Sequence, residues 1–185
     1  NLLGIEEKNP PFRLEASQPI LSIEELEQLK KIDSLTQNKF LSLVIDITYE
    51  VNTDENSGVS MSEALEDICG KANKAINDGY NIIILSDRNT SQNRVAIPAL
   101  LACSSTHQYL VKSGNRTNAG LVIDTGSARE VHHFALLAGF GAEAICPWLT
   151  YETIKTLTDD FFTAQENFIK AIGKGLFKVM SKMGI

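Results

Sequence analysis

The chain has 185 residues, a formal net charge of -6, and 43% hydrophobic against 22% charged side chains. Those values suit a soluble globular chain with a sizeable core. They exclude a nucleic-acid partner bound through phosphates, which needs clustered Lys and Arg. No apolar run approaches the roughly 20 residues that cross a bilayer, and no signal peptide is visible. Three widely spaced cysteines, Cys69, Cys103 and Cys146, fit buried reduced thiols better than a disulfide frame.

Residues 1–22 carry Pro10, Pro11 and Pro19 among Leu and Phe, which predicts an extended arm lying across another surface. Ser22 followed by Ile23, Glu24 and Glu25 reads as a helix start, with the serine as cap and the acids in the first turn. Ile23, Leu26, Leu29 and Ile32 give that helix one apolar stripe. Residues 40–47 are the first strand, interrupted near its end by Asp46, and 52–58 form a polar loop. Ser60 and Glu63 have capping-box spacing. Met61, Ala64, Leu65, Ile68, Cys69, Ala72, Ala75 and Ile76 then follow the helical apolar period up to Gly79.

The run 81–85 is a second strand, closed by Ser86, Asp87 and Arg88, and a polar loop continues to Val95. Pro98 opens a helix that ends near Ser113 and Gly114. Leu121, Val122 and Ile123 form a third strand, apolar throughout as a parallel strand covered on both faces should be. Asp124, Thr125 and Gly126 break it. Ser127 and Glu130 have the spacing of another capping box, and Val131, Phe134, Ala135 and Ala138 recur at helical spacing. Leu136 and Leu137 make that helix apolar on more than one side, which predicts burial. Gly139 and Gly141 end it, and 144–146 are a fourth strand stopped by Pro147. A short helix over 150–158 and a long amphipathic helix from Asp159 complete the chain. On the long helix Phe161, Ala164, Phe168, Ile169, Ile172, Leu176, Val179 and Met180 face one way, and Lys170, Lys174, Lys178 and Lys182 another.

Strands alternating with helices predict a parallel sheet with right-handed crossovers. An open doubly wound sheet and part of a β/α barrel both satisfy the pattern. A complete barrel needs eight units and about 250 residues, so four units leave strand edges for something else to cover. The expected fold is therefore α/β, with parallel repeats resembling a partial TIM-type barrel. Residues 1–38 form the arm and short helix, 39–158 the β/α core, and 159–185 the long helix.

The working face of such folds lies at the C-terminal ends of the strands. Asp46, Asp87 and Asp124 fall there, with Arg88 and Arg129 nearby. They offer a cation site, acid–base chemistry or a polar passage; more plainly, each acid could cap a helix or pair with an arginine. A metal-dependent β/α enzyme using these three acids is the alternative functional reading. His132 and His133 diverge by about 100° on a helix and are poorly placed to share one metal. His107 has no spaced companion. Phosphate-loop, dinucleotide, nucleophile-elbow and zinc-helix motifs do not occur.

The segments LSDR (85–88), IPALLA (97–102), AREVHHFALLAGFGAEAICP (128–147) and KGLFKVMSKMGI (174–185) resemble the central region of glutamate synthases, in the family's order. The arm resembles it too, so the similarity covers nearly the whole chain. The chain departs from the family pattern at Asp124, where Glu is usual, and at Ser127, where an acid is common. The resemblance implies a large enzyme, either a glutamate synthase large (alpha) subunit or a ferredoxin-dependent glutamate synthase, that makes two glutamates from glutamine and 2-oxoglutarate, in the cytoplasm or plastid stroma. A glutaminase domain with an N-terminal Cys nucleophile would release ammonia, and a domain with FMN and an iron–sulfur cluster would consume it. This chain starts with Asn1, so the family's nucleophile would not lie in it, and the cluster cysteines and most of the flavin barrel would lie beyond Ile185. On that reading the chain carries no catalytic residue, cofactor or metal. It would instead link those two domains of the same polypeptide and help wall the ammonia route. The long helix would lead toward the flavin domain. Ser86, Asp87, Arg88, Asp124, Thr125, Arg129, His132 and His133 are the candidate interdomain or tunnel-wall residues.

Overall fold

A computed structural model describes residues 14–51 and 60–185. The expected polar loop at 52–58 and the first half of the arm lie outside them. The elements, in chain order, are α1 (Ile23–Lys30), α2 (Ile32–Leu35), β1 (Ser42–Asp46), β2 (Thr48–Glu50), α3 (Met61–Asn77), β3 (Ile82–Ser86), β4 (Arg94–Ala96) and α4 (Ala99–Lys112). A 3-10 turn over Arg116–Asn118 precedes β5 (Gly120–Asp124), α5 (Val131–Gly139), β6 (Ala144–Cys146), α6 (Trp148–Leu157) and α7 (Phe161–Met183).

Strands β1, β3, β5 and β6 form one parallel sheet in that spatial order. The order follows the chain without reversal, and α3, α4 and α5 pack side by side as one layer. A doubly wound sheet reverses its strand order and places helices on both faces. Sequential strands with all crossovers on one side are the arrangement of a barrel wall, so the partial-barrel expectation holds over the alternative. Ile83, Leu85, Leu121, Ile123 and Ile145 point into the helical layer and are almost fully buried. The opposite, concave face carries Ile82, Ile84 and Val122. It is covered by α1 and the arm, whose Leu21 and Leu29 line a groove with Ile82, Val122 and Ala144. In a closed barrel that space belongs to the facing strands; here the N-terminal segment fills part of it.

The arm also takes one sheet edge. Leu21 N donates to Ile145 O at 2.9 Å and Ile145 N to Pro19 O at 2.8 Å, which joins Ile20 to β6 as a parallel bridge. Tyr151 pins it further, donating its hydroxyl to Leu21 O at 2.9 Å. Both Ser22 and Ser60 make the full capping box with Glu25 and Glu63, so two orphan N–H groups are satisfied at each helix start.

Several local expectations are corrected. Ser127 does not cap a helix: α5 starts at Val131 with Glu130 at its N-cap and no side-chain cap bond. The Ser127 hydroxyl instead lies 2.9 Å from Thr125 Oγ1. The expected loop before Val95 contains β4, which pairs antiparallel with β2 just beyond Asp46. Ile32 is buried but belongs to α2, because the first helix stops at Lys30. Leu136 is 46% exposed while Leu137 is buried, so α5 turns one apolar side outward. On α7, Gln165 is buried within the apolar face and Met180 is 42% exposed. Gly173 and Gly175 do not interrupt α7. At Gly175 the helix comes so close to α5 that a Cβ would overlap Val131, which explains a residue costing up to about 1 kcal/mol in a helix interior.

Candidate functional site

At the strand C-termini the register aligns Asp46, Ser86, Asp124 and Cys146 in one row across the sheet. Alternation sends all four toward the concave face; Cys146 Sγ accordingly sits 3.9 Å from Ser22 O on the α1 side. Asp124 is fully buried. Its Oδ2 accepts from Ser86 Oγ at 2.9 Å and from Arg88 Nε at 2.7 Å. The Arg88 guanidinium in turn lies over the Trp148 ring, 5.3 Å from its centroid, an arrangement that favours a cation. Burial works against the Arg88 charge, but the Asp124 carboxylate outweighs it and holds the guanidinium above its usual range.

Asp87, one residue on, points elsewhere. It accepts from Thr125 Oγ1 at 2.6 Å, from Trp148 Nε1 at 2.6 Å and from Gly126 N at 3.0 Å. Since Thr125 spends its only proton on Asp87, the bond to Ser127 has the serine as donor. Asp87 thereby ties the end of β3 to the turn after β5 and to the start of α6. Asp46 joins a third group: Oδ2 accepts from Asn89 Nδ2 at 3.0 Å and Arg94 Nη2 at 3.2 Å, and Oδ1 from Thr48 N at 2.8 Å. Burial alone would raise the Asp46 carboxyl, yet those partners leave it below its ordinary range.

Asp46 and Asp124 thus sit in the row and Asp87 one residue beyond it, and the three acids belong to three separate hydrogen-bonding groups. Among the described residues no three His, Cys, Asp or Glu side chains are placed to hold a metal ion together. The arginine pairings also differ from the nearest-in-sequence expectation. Arg88 reaches past Asp87 to Asp124, and Arg94 takes Asp46. Arg129 and His132 are exposed on the rim beyond β5, and His133 is half-buried beside them. His133 Nδ1 accepts from Arg129 N at 3.2 Å, and its Nε2 is 3.5 Å from Glu130 Oε1. His107, at the other end of the sheet, accepts from Arg116 Nε at 2.9 Å.

Of the eight expected site residues, the structure therefore brings Ser86, Asp87, Arg88, Asp124 and Thr125 together at the strand ends, in two hydrogen-bonded groups bridged by Trp148, and leaves Arg129, His132 and His133 on the outer rim. Sequence reasoning missed Trp148, which joins both halves of the network; its signal was the chain's single Trp standing directly after a strand-ending proline. It also missed Arg94 and Asn89. All three cysteines are free and buried. Burial raises each thiol, Cys103 to about 11 and Cys146 further, so none is a ready nucleophile. No helix among the described residues is long and apolar enough to cross a membrane.

The chain is 40% identical over its full length to a glutamate synthase [NADH] of Schizosaccharomyces pombe, of which it spans 9%. It is 37% identical over its full length to the glutamate synthase [NADPH] large chain of Bacillus subtilis, of which it spans 12%. A ferredoxin-dependent chloroplastic glutamate synthase of rice, Oryza sativa, is 36% identical and likewise 12% covered. Among solved structures, a flavocytochrome b2 variant with benzoylformate superposes over 85% of this chain and 35% of its own, with a TM-score of 0.56 at 17% identity. That likeness is one of fold alone, a stretch of β/α barrel. The family model described as the glutamate synthase central domain matches residues 1–185 throughout, and the chain belongs to that family.

Proposed function

We propose that this chain acts as a non-catalytic spacer in a glutamate synthase that makes two glutamates from glutamine and 2-oxoglutarate. It holds a glutaminase domain and an FMN and iron–sulfur domain of the same polypeptide at fixed distance, and helps wall the ammonia route between them. The division into arm, β/α core and a long helix leading toward the flavin domain belongs to the same reading, as does a location in the cytoplasm or plastid stroma. The observation that carries it is the use of the strand-end polar residues. Where a barrel enzyme keeps reactive groups open, Asp87, Asp124, Ser86 and Thr125 are buried and bonded to one another, to Arg88 and to Trp148, with only Asp124 Oδ1 and Arg88 Nη2 of this group buried without a partner among the described residues.

A rigid strand-end plate of this kind supports fixed spacing between neighbours. Contact with those neighbours falls to Arg88 and to the rim of Arg129, His132 and His133. Keeping ammonia in a closed passage lets geometry replace diffusion through bulk water. The test is the coupling of the two half-reactions in the full-length enzyme. Arg129→Ala and His133→Ala are expected to raise the glutamine hydrolysed per 2-oxoglutarate consumed while leaving each half-reaction active. Unchanged stoichiometry in both variants refutes the role of the rim.

A further inference from the structure

The two edges of the parallel sheet are treated differently. The β6 edge is taken by the chain's own arm at Ile20. The β1 edge has no partner among the described residues, since β1 is hydrogen-bonded to β3 alone. Ile82 N donates to Leu41 O and Ile47 N to Ser86 O, so the odd-numbered residues of this stretch, Leu41 to Ile47, bond toward β3. In a parallel ladder the intervening residues turn their backbone the other way. The N–H and C=O groups of Ser42, Val44 and Asp46 therefore face outward. Val44 is 44% exposed, whereas Ile84 and Val122, its neighbours in register across the sheet, are 0% and 5% exposed. β1 contains no proline, lysine or bulge to guard that edge, and its one charged side chain, Asp46, is paired with Arg94.

We propose that the β1 edge receives a parallel strand from another domain of the same polypeptide, which continues the barrel wall and buries Val44. Three observations select this occupant. The sheet grows parallel and in chain order, as a barrel wall does, and its structural relatives extend well beyond the matched stretch, since it covers only 35% of one. The relatives in sequence supply ample further chain, the matched stretch being 9–12% of each. A second copy would meet this edge through a two-fold axis, which pairs β1 with β1 antiparallel and cannot extend a parallel wall. The inference does not depend on the ammonia route and survives if the rim proves inert.

The test uses the full-length polypeptide. Residue-resolved hydrogen exchange should show the amides of Ser42, Val44 and Asp46 slowed by at least about 100-fold from the unstructured rate, as is also expected of Leu43 and Ile45 in the ladder to β3. Exchange of the three near the unstructured rate, with Leu43 and Ile45 protected, overturns the proposal. A photocrosslinking benzoylphenylalanine at position 44 should capture a residue of the same polypeptide outside 1–185. Capture of a second copy, capture within 1–185 or no capture overturns it. Val44→Pro deletes an outward N–H without touching the ladder to β3. It should speed exchange at Ser42 and Asp46 at least tenfold while β3 stays protected; loss of β3 protection refutes the assigned edge orientation.

Discussion

Replacing Asp87 by alanine tests how far the strand-end plate is a structural device. The carboxylate receives Thr125 Oγ1, Gly126 N and Trp148 Nε1, and the side chain is almost wholly removed from water. Hydrogen bonds to a charged group are worth about 1.5–3 kcal/mol each, and a buried donor left without a partner costs about 1–3 kcal/mol. The three bonds share one acceptor group and are not additive. Thr125 can turn its hydroxyl back to Ser127, so the expected loss for Asp87→Ala is about 3–5 kcal/mol. At roughly 2–4 °C per kcal/mol for a domain of this size, the thermal midpoint should fall by about 6–20 °C. Asp87→Asn keeps one acceptor oxygen of the same shape, able to serve Trp148 and Gly126 together, and should lose about 1–3 kcal/mol. Urea unfolding of the chain followed by tryptophan fluorescence reads this directly, because Trp148 is the only Trp and itself binds Asp87. A loss below about 1 kcal/mol for the alanine variant, or equal losses for both variants, refutes the reasoning.

Gly175→Ala should destabilise by about 1–3 kcal/mol despite alanine's better helix propensity, because its Cβ meets Val131. Gly173→Ala meets only the end of Gln18 at 3.6 Å and should be neutral or stabilising by up to about 1 kcal/mol; paired denaturation curves compare them. The Asp46 carboxyl titrates below its unfolded value of 3.8. Its contribution is therefore fully present above that pH and is lost as pH falls through the lower folded value. The gap in urea midpoint between the natural chain and Asp46→Asn should accordingly narrow as pH drops from 5 toward 3; a gap that widens contradicts the assignment. The three buried thiols, with Cys103 at about 11, should resist iodoacetamide at pH 8 in the folded chain and react together once it unfolds.

Much of the architecture was legible in local sequence. Capping boxes at Ser22 and Ser60, the apolar period of α3 and the continuous apolar strands β3 and β5 are interactions among residues within a turn or two of one another. Their geometry is fixed by the backbone period alone. The same spacing at Ser127 misled, because Thr125 and Asp87 draw that turn into a different set of bonds before the helix begins. That competitor comes from another strand, 38 residues away along the chain.

That Asp46, Asp87 and Asp124 gather at the strand ends was likewise readable from strand boundaries, but which partner each acid holds was not. Arg88 passes Asp87 for Asp124, Asp87 takes Trp148 from 61 residues away, and Asp46 takes Arg94 from 48. The amino-acid sequence alone determined that four strands alternate with helices and, to within a residue, where each strand stops, since those signals are carried by neighbours. Only the tertiary structure decided that the strands lie in unbroken chain order, that the arm closes one edge, and that the acids are spent in separate networks. Such pairings depend on sheet register and on which face a side chain takes, and a single residue of slip would reverse them.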